Sequence, residues 1–589
     1  MAGLIILNLI SQFLFFFIIF TYIIFIGIAN SDLIDGRFSL HVDEQILFDG
    51  VRKILNPDSK AQFLYLLFDG SDHRYGRLFW NVNAFLGYLP ENIYGAMGQI
   101  YSGRMSSAFF LIISYIIFTI TFFKSWFFRL ISIITLLAMP YTIYYMSMPK
   151  PEPLQLFTLS LFFYFFKKTN WDLSSWYWIF LGLAIGAKIS TLPFAMCILF
   201  FVILRNYKES QFSKDFENIS KPVFFTFLGL VISIPMLIKN FIISIIFYKI
   251  VIKFIEKCKV HTANLKLLII LFVIIMNFIF AYAAYYFFDF NTVLKYWIDR
   301  LYPNFKHGLD NININYFSWI KYLFNDWLSS PPVYGLIFIF SFLTLNIAYF
   351  YYSLSSFRLS NITFSNKTLL ILSGLFSLNL IFLEVDRLWG FYILPSFLFI
   401  CVGTLAISEY LIERYNSLSF SFKFQLIPYF FILSLLTMFV WWIPMNFKEY
   451  KRLSSRTKTE EYTKDYRSYS STMHELKLIS LKKNKILVVA YDMSLFQPEN
   501  AQNFRIKPVW GPYLDWENNA DVLVFSGYRK KRSNEEFDQG KANYEELIIE
   551  KLGYKKFVIS GDDICSNLKC YRRIKTFENG SEILVLEEH

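Results

Sequence analysis

Charge is what this 589-residue chain has least of: only 17% of its residues are Asp, Glu, Lys or Arg. Hydrophobic residues make up 55% of the sequence and aromatic residues 21%, a composition that excludes an ordinary soluble globular protein. Apolar runs of about eighteen residues or more recur from the N-terminus to about residue 443, and a helix of that length crosses a bilayer. The composition therefore predicts a polytopic membrane protein.

Cysteines and metal or nucleotide motifs are also scarce. There are five cysteines, of which Cys565 and Cys570 lie near the C-terminus, where they form a disulfide in an oxidising compartment or stay as thiols. No CxxC, HExxH, P-loop or GxGxxG pattern is present, and the six histidines are scattered. We predict no cofactor, although adjacent carboxylates leave a divalent metal such as Mg²⁺ or Mn²⁺ open.

The charges are unevenly distributed and divide the chain at residue 447. Residues 1–446 carry 32 basic and 23 acidic side chains, whereas residues 447–589 carry 25 and 22, so the charged fraction rises from about 12% to about 33%. We expect a membrane domain over 1–446 and a soluble domain over 447–589. Short apolar runs at 485–490, 520–525, 556–559 and 582–586 predict strands and residues 541–552 a helix, so the second domain is mixed α/β.

The apolar runs predict an all-α membrane domain of about thirteen spans, near 4–29, 107–123, 130–147, 153–166, 173–187, 190–204, 222–238, 241–256, 267–288, 332–353, 368–384, 388–410 and 425–443. With the N-terminus in the cytoplasm and the first span an uncleaved anchor, every inward loop contains Lys or Arg, as the positive-inside rule requires. The first outward loop is then 30–106, and the odd number of spans places 447–589 outside. The formal net charge of +12 is thus a property of the loops and indicates no nucleic-acid partner.

Five short motifs follow one another in a fixed order. They are Leu40-His41-Val42-Asp43-Glu44 after the first span, Tyr75-Gly76-Arg77-Leu78-Phe79 before the second, Met148-Pro149-Lys150-Pro151-Glu152-Pro153 between the third and fourth, Gly182-Leu183-Ala184-Ile185-Gly186-Ala187-Lys188, and Arg387-Leu388-Trp389-Gly390-Phe391-Tyr392-Ile393-Leu394-Pro395. This order resembles the GT-C superfamily of integral-membrane glycosyltransferases. It is most similar to the branch of the protein O-mannosyltransferases and the lipid A aminoarabinose transferases. The resemblance covers roughly residues 1–410.

The resemblance implies transfer of a sugar from a polyprenyl-phosphate donor to an acceptor hydroxyl, with inversion at the anomeric carbon. Asp43 matches the acidic residue of the family's first loop, which implies a general base acting on the acceptor. A carboxylate suits that role because the acceptor must lose a proton as the new bond forms. Glu44 has a supporting or phosphate-side role, and Glu152 is the second carboxylate; its alternative interpretation is a solvated turn residue.

A lipid-phosphate leaving group needs cations to offset its charge, and the outer side offers Arg74, Arg77, Lys150, Lys188 and Arg387. Lys188 and Arg387 stand out because each lies between apolar spans, where charges are costly and usually functional. The alternative for any one of them is snorkelling to the headgroups. His307 in the second long loop and Tyr392 are further candidates for contact with phosphate or sugar.

The expected partners are therefore a polyprenyl-phosphate sugar donor, an acceptor that is a lipid, a glycan or a protein, and the lipid bilayer. The expected location is the cytoplasmic (inner) membrane, with the active site and the C-terminal domain extracytoplasmic. No catalytic group is recognisable in 447–589, which we expect to bind the acceptor or cover the site. Alternative functions are a membrane transporter, a lipid-linked oligosaccharide polymerase or ligase, and a noncatalytic scaffold or receptor.

Overall fold

A computed structural model describes residues 2–32, 59–68, 77–169, 176–188, 212–235, 320–328, 333–355, 366–384, 393–415, 422–455, 474–481, 486–491, 504–509, 521–525, 558–560, 563–565, 570–577 and 581–587, and scattered positions at 50–57, 191–199, 238–253 and 471–472. The described residues are mostly helical, with one small sheet. They fall into two compact units. Unit 1 comprises Met1–Asn30, Asp49–Pro90 and Ile100–Tyr450; unit 2 comprises Ser31–Phe48, Glu91–Gln99 and Lys451–His589.

The described helices follow one another along the chain in short intervals. They are α1 (Ala2–Asp32), α2 (Lys60–Phe68), α3 (Arg77–Phe122), α4 (Trp126–Ala138), α5 (Thr142–Ser147), α6 (Pro151–Lys168), α7 (Ile179–Ala187, after a 3₁₀ turn at Trp176–Trp178), α8 (Phe212–Ser233), α9 (Val333–Ser355, after a π-helical turn at Leu323–Leu328), α10 (Asn366–Glu384), α11 (Leu394–Tyr415) and α12 (Phe422–Ser455). In unit 1, α7 packs between α6 and α8, and α11 packs against α4, α9 and α10.

Several of these helices are apolar enough to cross a membrane. Within the described residues, four are also long enough: Ile6–Asn30, Gly98–Phe122, Leu394–Arg414 and Leu426–Lys448. Shorter apolar helices lie at Trp126–Ala138, Trp176–Ala187, Lys221–Ser233, Val333–Tyr349 and Lys367–Asn379. The surface of α1 is itself apolar, since Phe13, Phe20 and Leu9 are each at least 60% exposed. An apolar outer face is what a helix in contact with lipid presents, so these helices are consistent with a membrane protein.

The predicted span over 130–147 is instead two helices, α4 and α5. The break falls at Met139-Pro140-Tyr141, because proline lacks an N–H donor and pushes the residue before it out of the helical region; Met139 accordingly has ψ 141°. Tyr141 then adopts φ 65°, which is unfavourable for a residue with a side chain. Its hydroxyl lies 2.7 Å from that of Tyr322, and its ring stacks on Trp327 at 5.8 Å. These contacts hold the break in place.

Helix α3 doubles back on itself, and so the predicted outward loop 30–106 contains helix. Ser102 Oγ donates to the carbonyl of Leu86 at 3.0 Å, and Ser106 Oγ donates to Asn83 Oδ1 at 3.1 Å, across 16 and 23 residues of one helical segment. Sixteen residues of straight helix would span about 24 Å. The arms before Pro90 and after Ile100 must therefore run antiparallel.

Three glycines let α7 and α8 approach each other closely. A Cβ added at Gly182 would lie 1.9 Å from the carbonyl oxygen of Thr226, and one added at Gly229 would lie 2.1 Å from that of Ile179. At Gly186 a Cβ would lie 2.0 Å from Ser233 Cβ. Gly182 and Gly186 are four residues apart, which places them on one face of α7 in the arrangement that small residues use to bring membrane helices into contact.

Glu409 on α11 fixes the start of α4. Its Oε1 accepts hydrogen bonds from the backbone N–H groups of Lys124 at 3.0 Å and Ser125 at 2.7 Å, and its side chain is buried. The first N–H groups of a helix have no partner within it, so a carboxylate there stabilises the helix. Helix α4 is thus capped by a residue from a distant part of the chain.

Unit 2 contains a mixed seven-stranded sheet. The strands are β1 (Ile486–Tyr491), β2 (Phe504–Val509), β3 (Val522–Phe525), β4 (Val558–Ser560), β5 (Asp563–Cys565), β6 (Cys570–Thr576) and β7 (Glu582–Glu587), in the order β2-β1-β3-β7-β6-β5-β4. β1 is parallel to β2 and β3, and the other pairs are antiparallel. β1, β3, β4 and β7 lie at the four predicted strand positions. The predicted helix 541–552 is outside the described residues.

The sheet has a core of its own. Val488, Val524 and Ile583, from three neighbouring strands, are fully buried together with Leu476, which comes from the helical residues 474–481. Alternate residues of a strand point to opposite faces, and Val522 and Val524 both join this cluster. One face of the sheet is therefore covered by a helix.

The close contact between α7 and α8 gives the first prediction. We expect Gly182→Ala to lower the free energy of unfolding by about 1–3 kcal/mol, because the added methyl group forces the two backbones apart. Thermal unfolding of the purified protein in detergent, followed by tryptophan fluorescence, measures this change. Gly27→Ala on α1, where an added Cβ meets nothing within 4 Å, is the control and should be neutral or slightly stabilising. Equal midpoints for both variants would contradict the close contact.

The cap on α4 gives a second prediction. Glu409→Ala should lower the free energy of unfolding by about 1–2 kcal/mol, since two backbone N–H groups lose their acceptor. Glu413→Ala, one turn further along α11, is the matched control: its side chain is 46% exposed and 3.7 Å from Lys124, so its loss should matter little. Urea or thermal unfolding compares the two variants, and a loss as large for Glu413→Ala would argue against capping.

Candidate functional site

The predicted site residues fall into two groups. Arg77, Lys150, Glu152 and Lys188 are described by the structure, and all four are buried or largely buried. The other six lie outside the described residues: Asp43, Glu44, Arg74, His307, Arg387 and Tyr392. The site can therefore be built around the start of α6.

The chain enters α6 through a turn fixed by proline. Pro151 is the first helical residue, where its missing N–H costs nothing because that group would have no partner in the helix. Lys150 precedes it with φ −131° and ψ 153°, an extended conformation that the following proline favours. Glu152 then lies in the first turn, where the free N–H groups and the helix dipole favour a carboxylate.

Glu152 forms a buried ion pair with Lys188. The ammonium group of Lys188 donates to Glu152 Oε1, and the two side chains are only 13% and 2% exposed. Glu152 is thus not a solvated turn residue. Two charges removed from water need each other, because either alone would be strongly disfavoured. The pair makes the electrostatic balance of this turn nearly neutral.

The end of α7 brings Lys188 to Glu152. Lys188 is the C-cap residue of α7, and its N–H donates to the carbonyl of Ala184 at 3.1 Å. A cation is favoured at this position by the helix dipole. Thr191 secures the same turn: its N–H donates to the carbonyl of Lys188 and its hydroxyl to that of Ala184, both at 3.0 Å. The direction of Lys188 is thus fixed by helix termination.

Lys150 occupies the other side of the turn. Its N–H donates to Ser107 Oγ on α3 at 3.2 Å, and its ammonium lies 5.7 Å from the ring centroid of Tyr144 on α5. Asn30 at the end of α1 donates to the carbonyl of Met146 at 3.0 Å. The turn between α5 and α6 is therefore held by α1 and α3, and it holds a buried cation beside an aromatic face, a favourable arrangement.

Arg77 is buried at the first residue of α3. It lies six residues before Asn83, about 9 Å along the helix axis, and Asn83 contacts Ser106, the neighbour of the Ser107 that binds Lys150. The folding back of α3 thus brings Arg77 towards this end of the bundle. The contacts described for Lys150, Glu152 and Lys188 do not include it.

Gln155 and Thr191 are site residues that the sequence analysis missed. Gln155 Nε2 donates to Thr191 Oγ1 at 2.6 Å, and both side chains are buried. Gln155 follows Glu152 by three residues and therefore shares its face of α6. A signal was present in the sequence, because an amide inside the apolar run 153–166 has to find a partner within the protein.

The opposite end of the same bundle is basic. Lys167 at the end of α6 donates to the carbonyl of Thr121, and Arg129 Nε donates to that of Phe123 at 3.1 Å. Lys367 lies 4.1 Å from the ring centroid of Tyr410, and Arg414 5.7 Å from it. Fifteen residues of α6, about 22 Å, separate Glu152 from Lys167. The acid–base turn and the basic end are therefore on opposite ends of one helix.

Among the described residues, no group of three or more His, Cys, Asp or Glu side chains is arranged to hold a metal ion. Neither a scan against models of known protein families nor a search of the curated proteins finds a match for the chain. Function is therefore argued from the geometry of the turn and from the resemblance of the five motifs.

The ion pair gives a third prediction. Lys188→Met leaves a buried carboxylate without its partner and should lower the free energy of unfolding on the order of 3 kcal/mol. The double variant Glu152→Gln with Lys188→Met removes both charges and should recover much of that loss. A double-mutant cycle on unfolding midpoints measures the coupling. If the two single losses simply add, the residues do not form a pair.

Proposed function

We propose that the protein is an inverting glycosyltransferase that moves a sugar from a polyprenyl-phosphate donor to a hydroxyl of a cell-envelope lipid, polysaccharide or protein. The observation that carries the proposal is the buried acid–base turn formed by Lys150, Glu152 and Lys188. Charged side chains buried at the end of an apolar bundle are costly and are retained where they act on a ligand. Their place in the motif order supports the glycosyltransferase assignment.

The distribution of charge supports an outward-facing site. Lys124, Arg129 and Lys167 lie at one end of the bundle, and Glu152 lies at the other end of α6. Loops on the cytoplasmic side carry an excess of Lys and Arg. We therefore propose that Glu152 and Lys188 face the outside of the cytoplasmic membrane, in a domain of about thirteen spans, and that residues 447–589 form an extracytoplasmic α/β domain that binds the acceptor or covers the site.

In the proposed reaction, Asp43 accepts the proton of the acceptor hydroxyl. The acceptor oxygen forms a bond to the anomeric carbon as the bond between that carbon and the phosphate oxygen breaks, and polyprenyl phosphate leaves with the electron pair. The stereochemistry inverts because attack and departure occur on opposite faces. Lys150 offsets the phosphate charge, and Arg77 and Arg387 are further candidates for that role. Glu152 holds Lys188 and shapes the pocket around the sugar.

The glycans of the cell envelope give a fourth prediction. In a deletion strain, the wild-type gene should restore one sugar to an envelope lipid, polysaccharide or protein, whereas Asp43→Asn should restore less than about 1% of it, since loss of a general base costs about 10²–10⁴ in rate. Glu152→Gln should reduce it as well, because Lys188 loses its counter-charge. Mass spectrometry of the envelope at matched protein level measures the sugar.

The control is Glu413→Gln, a carboxylate exposed at the opposite end of the bundle, which should restore the sugar fully. Full restoration by Asp43→Asn would rule out the transfer mechanism and favour a transporter or a scaffold. An unglycosylated lipid-linked oligosaccharide accumulating in the deletion strain would instead point to a polymerase or ligase.

A further inference from the structure

Two acceptor oxygens are buried on one face of α6 without a donor. Glu152 and Gln155 are 2% and 3% exposed, and neither Glu152 Oε2 nor Gln155 Oε1 accepts a hydrogen bond from any described residue. Buried polar atoms in native proteins are almost always paired, and an unpaired one indicates a missing partner. Three residues along a helix correspond to about 4.5 Å, so the two side chains are neighbours.

The orientation of each group is fixed by its other atoms. Glu152 Oε1 is held by Lys188, and Gln155 Nε2 donates to Thr191 Oγ1. Thr191 gives its own hydroxyl proton to the carbonyl of Ala184, so its oxygen must accept from Gln155. The amide nitrogen is thereby assigned to Thr191, and the amide oxygen is the atom left for a ligand.

We infer that Glu152 Oε2 and Gln155 Oε1 form a subsite for the hydroxyl groups of the donor sugar, and not for its phosphate; the inference rests on the proposed function. Both oxygens are acceptors, so they require O–H or N–H donors and disfavour the oxygens of a phosphate, which are acceptors too. The charge of Lys188 is balanced by Glu152, which leaves this side of the turn suited to an uncharged ring.

The division of labour within the turn follows from its geometry. Lys150 precedes Pro151, and its ammonium is on the side of Tyr144 and α5. Glu152 and Gln155 follow the proline and are directed to Lys188 and Thr191 at the end of α7. A donor bound across the turn would present its phosphate to Lys150 and its hydroxyls to Glu152 and Gln155. The sequence analysis gave Lys188 to the phosphate; the ion pair gives it to the sugar side.

The test measures binding of two kinds of lipid to the full-length protein in nanodiscs. The first is undecaprenyl phosphate, and the second is a panel of undecaprenyl phosphates linked to mannose, glucose or 4-amino-4-deoxyarabinose. For the sugar-linked lipid that wild type prefers, Gln155→Met should weaken binding about tenfold, which corresponds to the loss of one hydrogen bond. Binding of undecaprenyl phosphate should stay unchanged.

Thr158→Val is the matched control. Thr158 is buried on the same helix, but its hydroxyl donates only to the carbonyls of Leu154 and Gln155, so the variant should change neither affinity. If Gln155→Met fails to fold, Thr191→Val replaces it. That variant removes the oxygen that fixes the amide, and the preference for the sugar-linked lipid should again fall.

The outcomes separate the inference from the function on which it rests. If wild type prefers a sugar-linked lipid and Gln155→Met keeps that preference, or weakens both lipids equally, the subsite holds water or is structural and the inference is wrong while the transferase proposal stands. If wild type binds no sugar-linked lipid better than undecaprenyl phosphate, the proposed function and the inference fail together.

Discussion

A carboxylate removed from water needs a partner supplied by the protein, and meeting that need for Glu152 ties several helices together. Lys188 reaches Glu152 because α7 ends at Ala187. The position of α7 depends in turn on α8, whose backbone it touches at Gly182 and Gly229. The glycine contact and the ion pair are therefore parts of one arrangement: a wider spacing between α7 and α8 would also displace the cation from the start of α6.

The sequence predicts the long apolar helices well, because a continuous apolar run is sufficient to specify a span. α1, α11 and α12 accordingly include most of the predicted 4–29, 388–410 and 425–443. Hydropathy failed at 130–147, since it counts side chains, whereas the break between α4 and α5 arises from the backbone of Pro140. The folding back of α3 was missed for a related reason: contacts such as Ser106 with Asn83 depend on tertiary structure.

The candidate site was predictable in part. Glu152 and Lys188 were recognisable as charges at the ends of apolar runs, but their pairing was not, because it depends on how α6, α7 and α8 pack. Gln155 was overlooked because one amide hardly changes the hydropathy of the run that contains it. Its role appears only when Thr191, 36 residues later, is placed against it.

The sheet of unit 2 is open, and a domain held at a membrane meets its own copies at high local concentration. Exposed strand edges pair readily with one another under those conditions. The described sheet ends in β2 on one side and β4 on the other. β4 has only three residues, and β2 contains Pro508, which has no N–H to donate, beside the charged Lys507. Both ends of the sheet are therefore poor templates for a further strand, which protects this unit against aggregation through its edges.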